Sequence, residues 1–168
     1  MLRHGFASVT RLRGAGLKKH RQVAALPCRR TAEGHLEVCL VTSRETGRWV
    51  IPKGWPMAGK TNWEAAATEA YEEAGLRGKM ESSPLGSYPY WKRKSDHFVL
   101  IETVVYLMRV DKQMRKWPER SERTRRWMTL AEATEEVVEP GLMALLFQLA
   151  ANEASVAPDG TEATAANP

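Results

Sequence analysis

The residues of this chain best suited to chemistry are three closely spaced glutamates, Glu69, Glu72 and Glu73. On a helix, which turns about 100° per residue, these positions fall within one arc, so the carboxylates share a patch. Like charges at this spacing repel and weaken the helix by a few tenths of a kcal/mol per pair. A hard divalent cation such as Mg²⁺, which binds oxygen ligands, would reverse that repulsion. The competing interpretation is an ordinary solvated acidic helix face.

The segment around these glutamates has the pattern of an amphipathic helix over residues 62–75. Thr61 with Glu64 three residues later matches a capping box, and Gly75 is a typical helix stop. The apolar positions recur with helical spacing and predict a stripe that packs on the core, with the three glutamates opposite. The stripe consists of Trp63, Ala66, Ala67, Ala70 and Ala74.

The elements that must position this helix are mostly short strands. Alternating and β-branched residues predict a hairpin from 21–30 and 36–43, a third strand over 48–52 that leads into the loop Lys53-Gly54-Trp55-Pro56, and a long central strand over 97–110. Residues 80–91 contain two prolines and predict a broken or edge strand. A basic loop over 111–126, a short strand at Trp127-Met128, a helix over 130–137 and a helix from Pro140 to about 152 complete the prediction.

Composition bounds the protein to one ordinary domain. The chain has 168 residues, of which 43% are hydrophobic and 27% charged, and it contains no apolar run long enough for a membrane span. Residues 1–20 carry five of the 25 basic residues and no acidic residue, which predicts a flexible basic arm; residues 154–168 predict a disordered tail. Cys28 and Cys39 are predicted to be reduced core thiols in a reducing compartment, the cytoplasm.

The segment GWPMAGKTNWEAAATEAYEEAGL, residues 54–76, resembles the Nudix box, G-x5-E-x7-R-E-U-x-E-E-x-G-U with U apolar. It keeps both glycines and all three glutamates in register. It departs from the pattern at Lys60, where the box has its first Glu, and at Thr68, where it has Arg. If the Glu and Arg of the pattern pair with each other, losing both leaves no unpaired charge. We therefore treat the glutamate triad as intact.

The resemblance implies an α+β fold, a Nudix-type α/β/α sandwich with a mixed central sheet, over residues 21–153. It also implies an enzyme that cleaves a pyrophosphate bond in a nucleoside diphosphate linked to another moiety, with Mg²⁺ as the cofactor and Mn²⁺ as the alternative. By position, Glu69, Glu72 and Glu73 are the predicted catalytic residues and metal ligands, and the backbone carbonyl of Gly54 is a further predicted ligand. Which glutamate is the base is left open.

A weaker resemblance, carried by the phrases RQVAALPCRR, GRWVIPKG, KRKSDH and RTRRWMTLAEA, is to the diphosphoinositol-polyphosphate and dinucleoside-polyphosphate branch. A polyphosphate substrate needs several cations near the metal site. The predicted substrate-binding residues are Arg21, Arg48, Lys53, Arg93 and Arg125. For each of them, an ordinary surface charge is the competing interpretation.

Two other functions stay open at this stage. An RNA 5′-pyrophosphohydrolase would use the same triad, with the basic arm and the loop over 112–126 as an RNA track. A non-catalytic module would bind a phosphorylated ligand at a site decayed at Lys60 and Thr68. The favoured partner is a small phosphoanhydride, with nucleic acid as the less favoured partner and no membrane; the sequence does not define the oligomeric state.

Overall fold

The computed structural model describes residues 20–156, and within them a mixed sheet lies between two helical layers. The strands are His20–Arg30 (β1), Leu36–Thr42 (β2), Trp49–Val50 (β3), Lys53–Gly54 (β4), Leu76–Met80 (β5), Gly86–Arg93 (β6), Phe98–Gln113 (β7) and Arg125–Thr129 (β8). The helices are Asn62–Ala74 (α1), Leu130–Glu136 (α2) and Pro140–Val156 (α3).

The sheet is organised around the parallel pair β1 and β7, with β2 and β3 on one side and β5 on the other. Three further strands attach off this row: β4 pairs with β1, β6 with β7 and β8 with β2, all antiparallel. The predicted hairpin is confirmed by the antiparallel pairing of β1 with β2. The central strand is confirmed as β7, which pairs with β1, β5 and β6.

The two faces of the sheet bury different helices, which confirms the predicted sandwich. On one face, Val23 and Ala25 of β1 pack with the alanines of α1 and with Tyr106. On the other face, Ala24 and Leu26 of β1 pack with residues from α2 and α3. This alternation follows from the strand geometry, in which successive side chains point to opposite faces.

Helix α1 forms as its local sequence predicts. The Thr61 hydroxyl accepts from the backbone N–H of Glu64, and the Glu64 carboxylate accepts from the backbone N–H of Thr61. Gly75 ends the helix with φ of 64°, a left-handed conformation that glycine adopts without strain. These two ends fix where the glutamates lie relative to β4 and β5.

Several predicted boundaries are wrong by a few residues because backbone pairing overrides local composition. Lys112 and Gln113 pair with β5, so β7 extends past 110, and Arg125 and Arg126 pair with β2, so the predicted loop shrinks to 114–124. The predicted strand over 48–52 shortens to β3, and the first two residues of the predicted loop that follows form strand β4. The proline-containing strand β6 pairs with β7 and with no other strand in the described region, as an edge strand does.

The described range limits what can be said of the ends. Most of the predicted arm, residues 1–19, and residues 157–168 of the predicted tail lie outside it, while helix α3 continues through residues 154–156, which the sequence predicts to be disordered. Cys28 and Cys39 are buried and free, as predicted. No helix within residues 20–156 is long and apolar enough to cross a membrane.

Candidate active site

Glu73 differs most from the sequence prediction, because the structure buries it. The pattern places all three glutamates opposite the core stripe, but Glu73 is only 6% exposed. Its face of α1 is covered by β4 and by the loop 114–124, which a helical projection cannot show. The Glu73 Oε2 accepts a hydrogen bond of 3.2 Å from the backbone N–H of Lys53.

A buried arginine neutralises Glu73. Nη2 of Arg123 lies 2.5 Å from Oε1 of Glu73, and Nε of the same side chain lies 2.5 Å from Oε2 of Glu119. Nη1 donates to the backbone carbonyl of Thr42 at 3.0 Å. Each nitrogen of this guanidinium therefore has an acceptor, which is what a cation only 7% exposed requires.

Glu69 lies against the backbone of Gly54. A Cβ added at Gly54 would fall inside contact distance of the carboxylate of Glu69, so a larger residue at this position would displace that carboxylate. Gly54 itself pairs with Val23 of β1. The sheet and the helix thus bring the predicted Gly54 and Glu69 together.

The carboxylates repel one another electrostatically. Burial raises the pKa of Glu69 to about 7, and the nearby charges of Glu73, Glu72 and Glu119 add to the increase. Burial also raises the pKa of Glu73, although the charges of Arg123 and Lys53 oppose that increase. A cation placed among these carboxylates would favour their ionised forms.

The donor atoms of this site are of the chemical type that suits a divalent metal, but their arrangement does not surround one ion. Within residues 20–156, no three His, Cys, Asp or Glu side chains are placed to hold one metal ion. Glu73 is turned toward Arg123 and the Lys53 amide, whereas the carboxylates of Glu69 and Glu72 form no hydrogen bond or ion pair with another described residue. Hard oxygen donors next to the Gly54 backbone are the type that Mg²⁺ prefers.

Two of the predicted substrate cations, Lys53 and Arg48, have side chains that interact with the buried carboxylates of Glu73 or Glu139. The Lys53 side chain is partly buried and lies over the ring of Tyr90, with Nζ 5.7 Å from the ring centroid. Burial lowers its pKa, while the negative charges of Glu73 and Glu139 raise it. Nη1 of Arg48 lies 4.0 Å from Oε1 of Glu139.

The other three predicted substrate cations are less close to the glutamates. Arg21 pairs with Glu102 at 3.2 Å, and Arg93 is exposed at the end of β6. Arg125 donates to the backbone carbonyl of Ala74 at 2.5 Å and stacks over Trp117, with 4.2 Å from Cζ to the ring centroid. Because Arg125 is bound at the C-terminal end of α1, we do not propose it as a substrate contact.

The sequence does not identify Arg123, Glu119 or Glu139. The first two lie in the segment 114–124, where several arginines and glutamates look alike and none has helical or strand spacing relative to the triad. Glu139 directly precedes Pro140, so its position suggests only a helix start. The contacts of Arg123 with Glu73 and of Glu139 with Arg48 span 50 residues or more along the chain, and no local pattern encodes them.

The two positions that depart from the Nudix box contact each other. Nζ of Lys60 donates to the hydroxyl of Thr68 at 2.7 Å, and that hydroxyl donates to the backbone carbonyl of Glu64 at 3.0 Å. This contact lies on the exposed side of α1. Both side chains therefore have a hydrogen-bond partner, and neither polar group is left unsatisfied.

Comparison with known proteins decides the family. The NUDIX domain matches residues 18–147. The chain belongs to the NUDIX family. Among curated relatives, the chain is 36% identical to Nudix hydrolase 12, mitochondrial, of Arabidopsis thaliana over 60% of the chain and 51% of that protein, and 36% identical to Nudix hydrolase 16, mitochondrial, of the same plant over 67% and 64%. The match thus spans about half to two thirds of their length.

A third relative in the NUDIX family is diphosphoinositol polyphosphate phosphohydrolase 2 of Rattus norvegicus, 30% identical over 70% of this chain and 62% of that protein. Among solved structures, an Ap4A hydrolase of C. elegans in a binary complex has a TM-score of 0.61 at 18% identity. The superposition covers 81% of this chain and 98% of the chain of that hydrolase. At that identity the likeness shows the fold alone. Several relatives are named as mitochondrial or chloroplastic proteins. The cytoplasmic location of this chain therefore stays a prediction.

Proposed function

We propose that this NUDIX protein is a Mg²⁺-dependent hydrolase that cleaves a pyrophosphate bond in a nucleoside diphosphate linked to another moiety. The observation that carries the proposal is the group of mutually repelling carboxylates on α1, in which Glu69 has a pKa raised to about 7. A protein that buries like charges together without a cation loses stability, so the arrangement is typical of a site that binds one.

Glu69, Glu72 and Glu73 are the proposed catalytic and metal-binding residues, with the backbone carbonyl of Gly54. Glu69 and Glu72 have carboxylates without another partner, and Glu73 would exchange its ion pair with Arg123 for the metal charge. When bound, the metal would supply charge stabilisation for the phosphate oxygens and acidify a water molecule. Mn²⁺ is the proposed alternative metal.

The proposed substrates are dinucleoside polyphosphates or diphosphoinositol polyphosphates. The names of relatives support both classes, since one is a diphosphoinositol polyphosphate phosphohydrolase and one structural neighbour is an Ap4A hydrolase. Lys53 interacts with Glu73 and Glu139, and Arg48 lies beside Glu139. Arg21 on β1 and Arg93 on β6 are exposed. These four residues are the proposed phosphate contacts.

Action on RNA 5′ ends is the less favoured function. The proposed RNA track depends on the loop after β7, but Arg123 is buried in an ion pair and Arg125 is bound to the end of α1. Arg44 pairs across that loop with Glu119 and Glu122. The cations available to a nucleic-acid backbone are correspondingly fewer.

Cleavage of a panel of phosphoanhydrides, measured by chromatography of the products, tests the proposal, because most of these compounds split into two phosphorylated products without freeing inorganic phosphate. The panel contains diadenosine tetraphosphate, diphosphoinositol pentakisphosphate, NADH, a nucleotide sugar and 5′-triphosphate RNA, each with Mg²⁺ and with EDTA. We expect Mg²⁺-dependent cleavage of at least one of the first two and a loss of about 100-fold or more in kcat in Glu72→Gln, because a metal-binding carboxylate is removed. Glu135→Gln, an exposed glutamate on α2, is the matched control.

The panel also separates the alternatives. Cleavage of RNA alone would favour the RNA function. No cleavage of any member with Mg²⁺ would identify a non-catalytic module. Activity of Glu72→Gln within a few-fold of the parent protein would remove this carboxylate from the mechanism.

A further inference from the structure

A second polar cluster adjoins the proposed phosphate contacts Lys53 and Arg48, and the proposed cleavage leaves its other members without a role. These are Glu139, directly before α3, Tyr90 and Lys92 in β6, and Trp55, and Tyr90 packs against the core on the α3 side of the sheet. We call this group the Glu139 cluster. Tyr90 donates from its hydroxyl to Oε1 of Gln22 at 2.6 Å, which places the ring beside β1.

Glu139 is the unusual member of the cluster. The residue is 8% exposed, and its Oε2 is sealed from solvent and accepts no hydrogen bond from any described residue. Among the described residues, Oε1 has only the contact with Arg48, at the 4.0 Å limit of an ion pair. A buried acceptor without a donor is unfavourable, so both oxygens of this carboxylate suit stronger donors.

The surroundings of Glu139 combine aromatic rings with cations. Lys53 lies over Tyr90, and Lys92 lies with Nζ 5.8 Å from the ring centroid of Trp55. Trp55 is 42% exposed and has an edge contact with His20, so part of its indole is accessible to a ligand. The charge of Lys53 interacts with both Glu73 and Glu139, which links this cluster to the proposed catalytic glutamates.

These features fit a nucleobase better than a ligand made of phosphates alone. Tyr90 and Trp55 offer rings on which a base can stack, and the lysines are suited to the phosphates between that base and the glutamates. A phosphate group next to the carboxylate of Glu139 would meet a like charge. Arg48 is half exposed and weakly held, so it can turn outward toward a phosphate and leave Oε1 of Glu139 to another donor at low cost.

We propose that the Glu139 cluster binds the nucleobase of the substrate, and that the Glu139 carboxylate accepts the paired N–H donors of a guanine edge. Guanine presents adjacent donors at N1 and at its exocyclic amino group, which match the two acceptor oxygens of a carboxylate. Adenine presents a donor beside an acceptor and matches an amide instead. This inference rests on the proposed function and selects nucleotide substrates over inositol polyphosphates.

The test compares kcat/KM for diguanosine tetraphosphate, diadenosine tetraphosphate and diphosphoinositol pentakisphosphate in the full chain with Mg²⁺. We expect the parent protein to prefer the guanosine compound. Glu139→Gln should lower the guanosine-to-adenosine ratio by about tenfold or more, because the amide matches adenine. Glu135→Gln, on the neighbouring helix, should leave the ratio unchanged.

A second variant does not depend on a buried residue. Trp55 is exposed, so Trp55→Ala should fold normally; we expect it to raise KM for both nucleotides about tenfold and to reduce the fluorescence quenching caused by GTP. A guanosine-to-adenosine ratio in Glu139→Gln within twofold of the parent would overturn the inference, as would a parent preference for the inositol compound. In either case hydrolysis itself would still support the proposed function. If no compound is hydrolysed, the proposed function fails, and unquenched fluorescence with GTP would then overturn this inference as well.

Discussion

At the residue scale, the ion pair between Glu73 and Arg123 fixes the position of the Glu73 carboxylate in the site. Both oxygens of Glu73 are held, one by Arg123 and the other by the Lys53 amide. The box has its arginine at position 68, where this chain has threonine, and here a cation from a distant loop reaches the helix instead. The glutamate is thus fixed by tertiary contacts that α1 alone does not supply.

Removing Arg123 should therefore destabilise the protein strongly. Arg123→Gln leaves the buried carboxylate of Glu73 without its ion-pair partner, and we expect a loss of about 3–5 kcal/mol in the free energy of unfolding, measured by urea denaturation. The matched control is Arg126→Gln, which breaks an exposed pair with Glu136 and should cost less than about 1 kcal/mol.

A double variant checks the cause of that loss. Arg123→Gln combined with Glu73→Gln removes both charges, so its loss should be smaller than the sum of the single losses. If Arg123→Gln costs no more than Arg126→Gln, the ion pair does not stabilise the fold as described.

At the element scale, helix α1 combines local capping with a non-standard pair on its exposed side. The hydrogen bond from Lys60 to Thr68 joins the two residues that depart from the box, one before the helix and one on its second turn. Residues in direct contact are expected to have coupled effects. The departures should therefore act as one unit.

Restoring the box residues tests this coupling. We expect Lys60→Glu together with Thr68→Arg to disturb kcat/KM less than either single change, because the double variant can form an ion pair while each single variant has an unmatched charge. The four proteins of the cycle are compared on the best substrate of the panel, and a coupling of at least about 0.5 kcal/mol is expected. Additive effects would show that the two positions are independent.

The elements of this fold differ in how far the sequence predicts them. Helix α1 and the hairpin are encoded locally, by Thr61, Glu64 and Gly75 and by alternating strands, and the structure confirms them. Strands β3, β4 and β8 depend on partners distant in the chain, so their bounds were not predictable from composition. Of the site, the sequence identifies the triad and Gly54, but Arg123 and Glu139 become visible only when the sheet brings distant segments together.

At the scale of the whole molecule, the clustered carboxylates predict that stability depends on pH and on a divalent cation. The pKa of Glu69 is raised from 4.5 to about 7 in the folded protein. Between these values the folded state holds a proton that the unfolded state has released, so stability falls as the pH rises. Above the folded pKa the full cost is present, unless a cation offsets it.

The free energy of unfolding from pH 5 to pH 8, with and without Mg²⁺, tests the central claim most directly. Without metal, the parent protein should lose about 1 kcal/mol relative to Glu69→Gln as pH rises through this window, the half-exposed carboxylate being screened by solvent. Millimolar Mg²⁺ should stabilise the parent more at pH 8 than at pH 5, because the ion binds the ionised carboxylates of the folded state. Mg²⁺ should add little in Glu69→Gln. Equal stabilisation of both proteins by Mg²⁺, or none at any pH, would contradict a divalent-ion site at these glutamates.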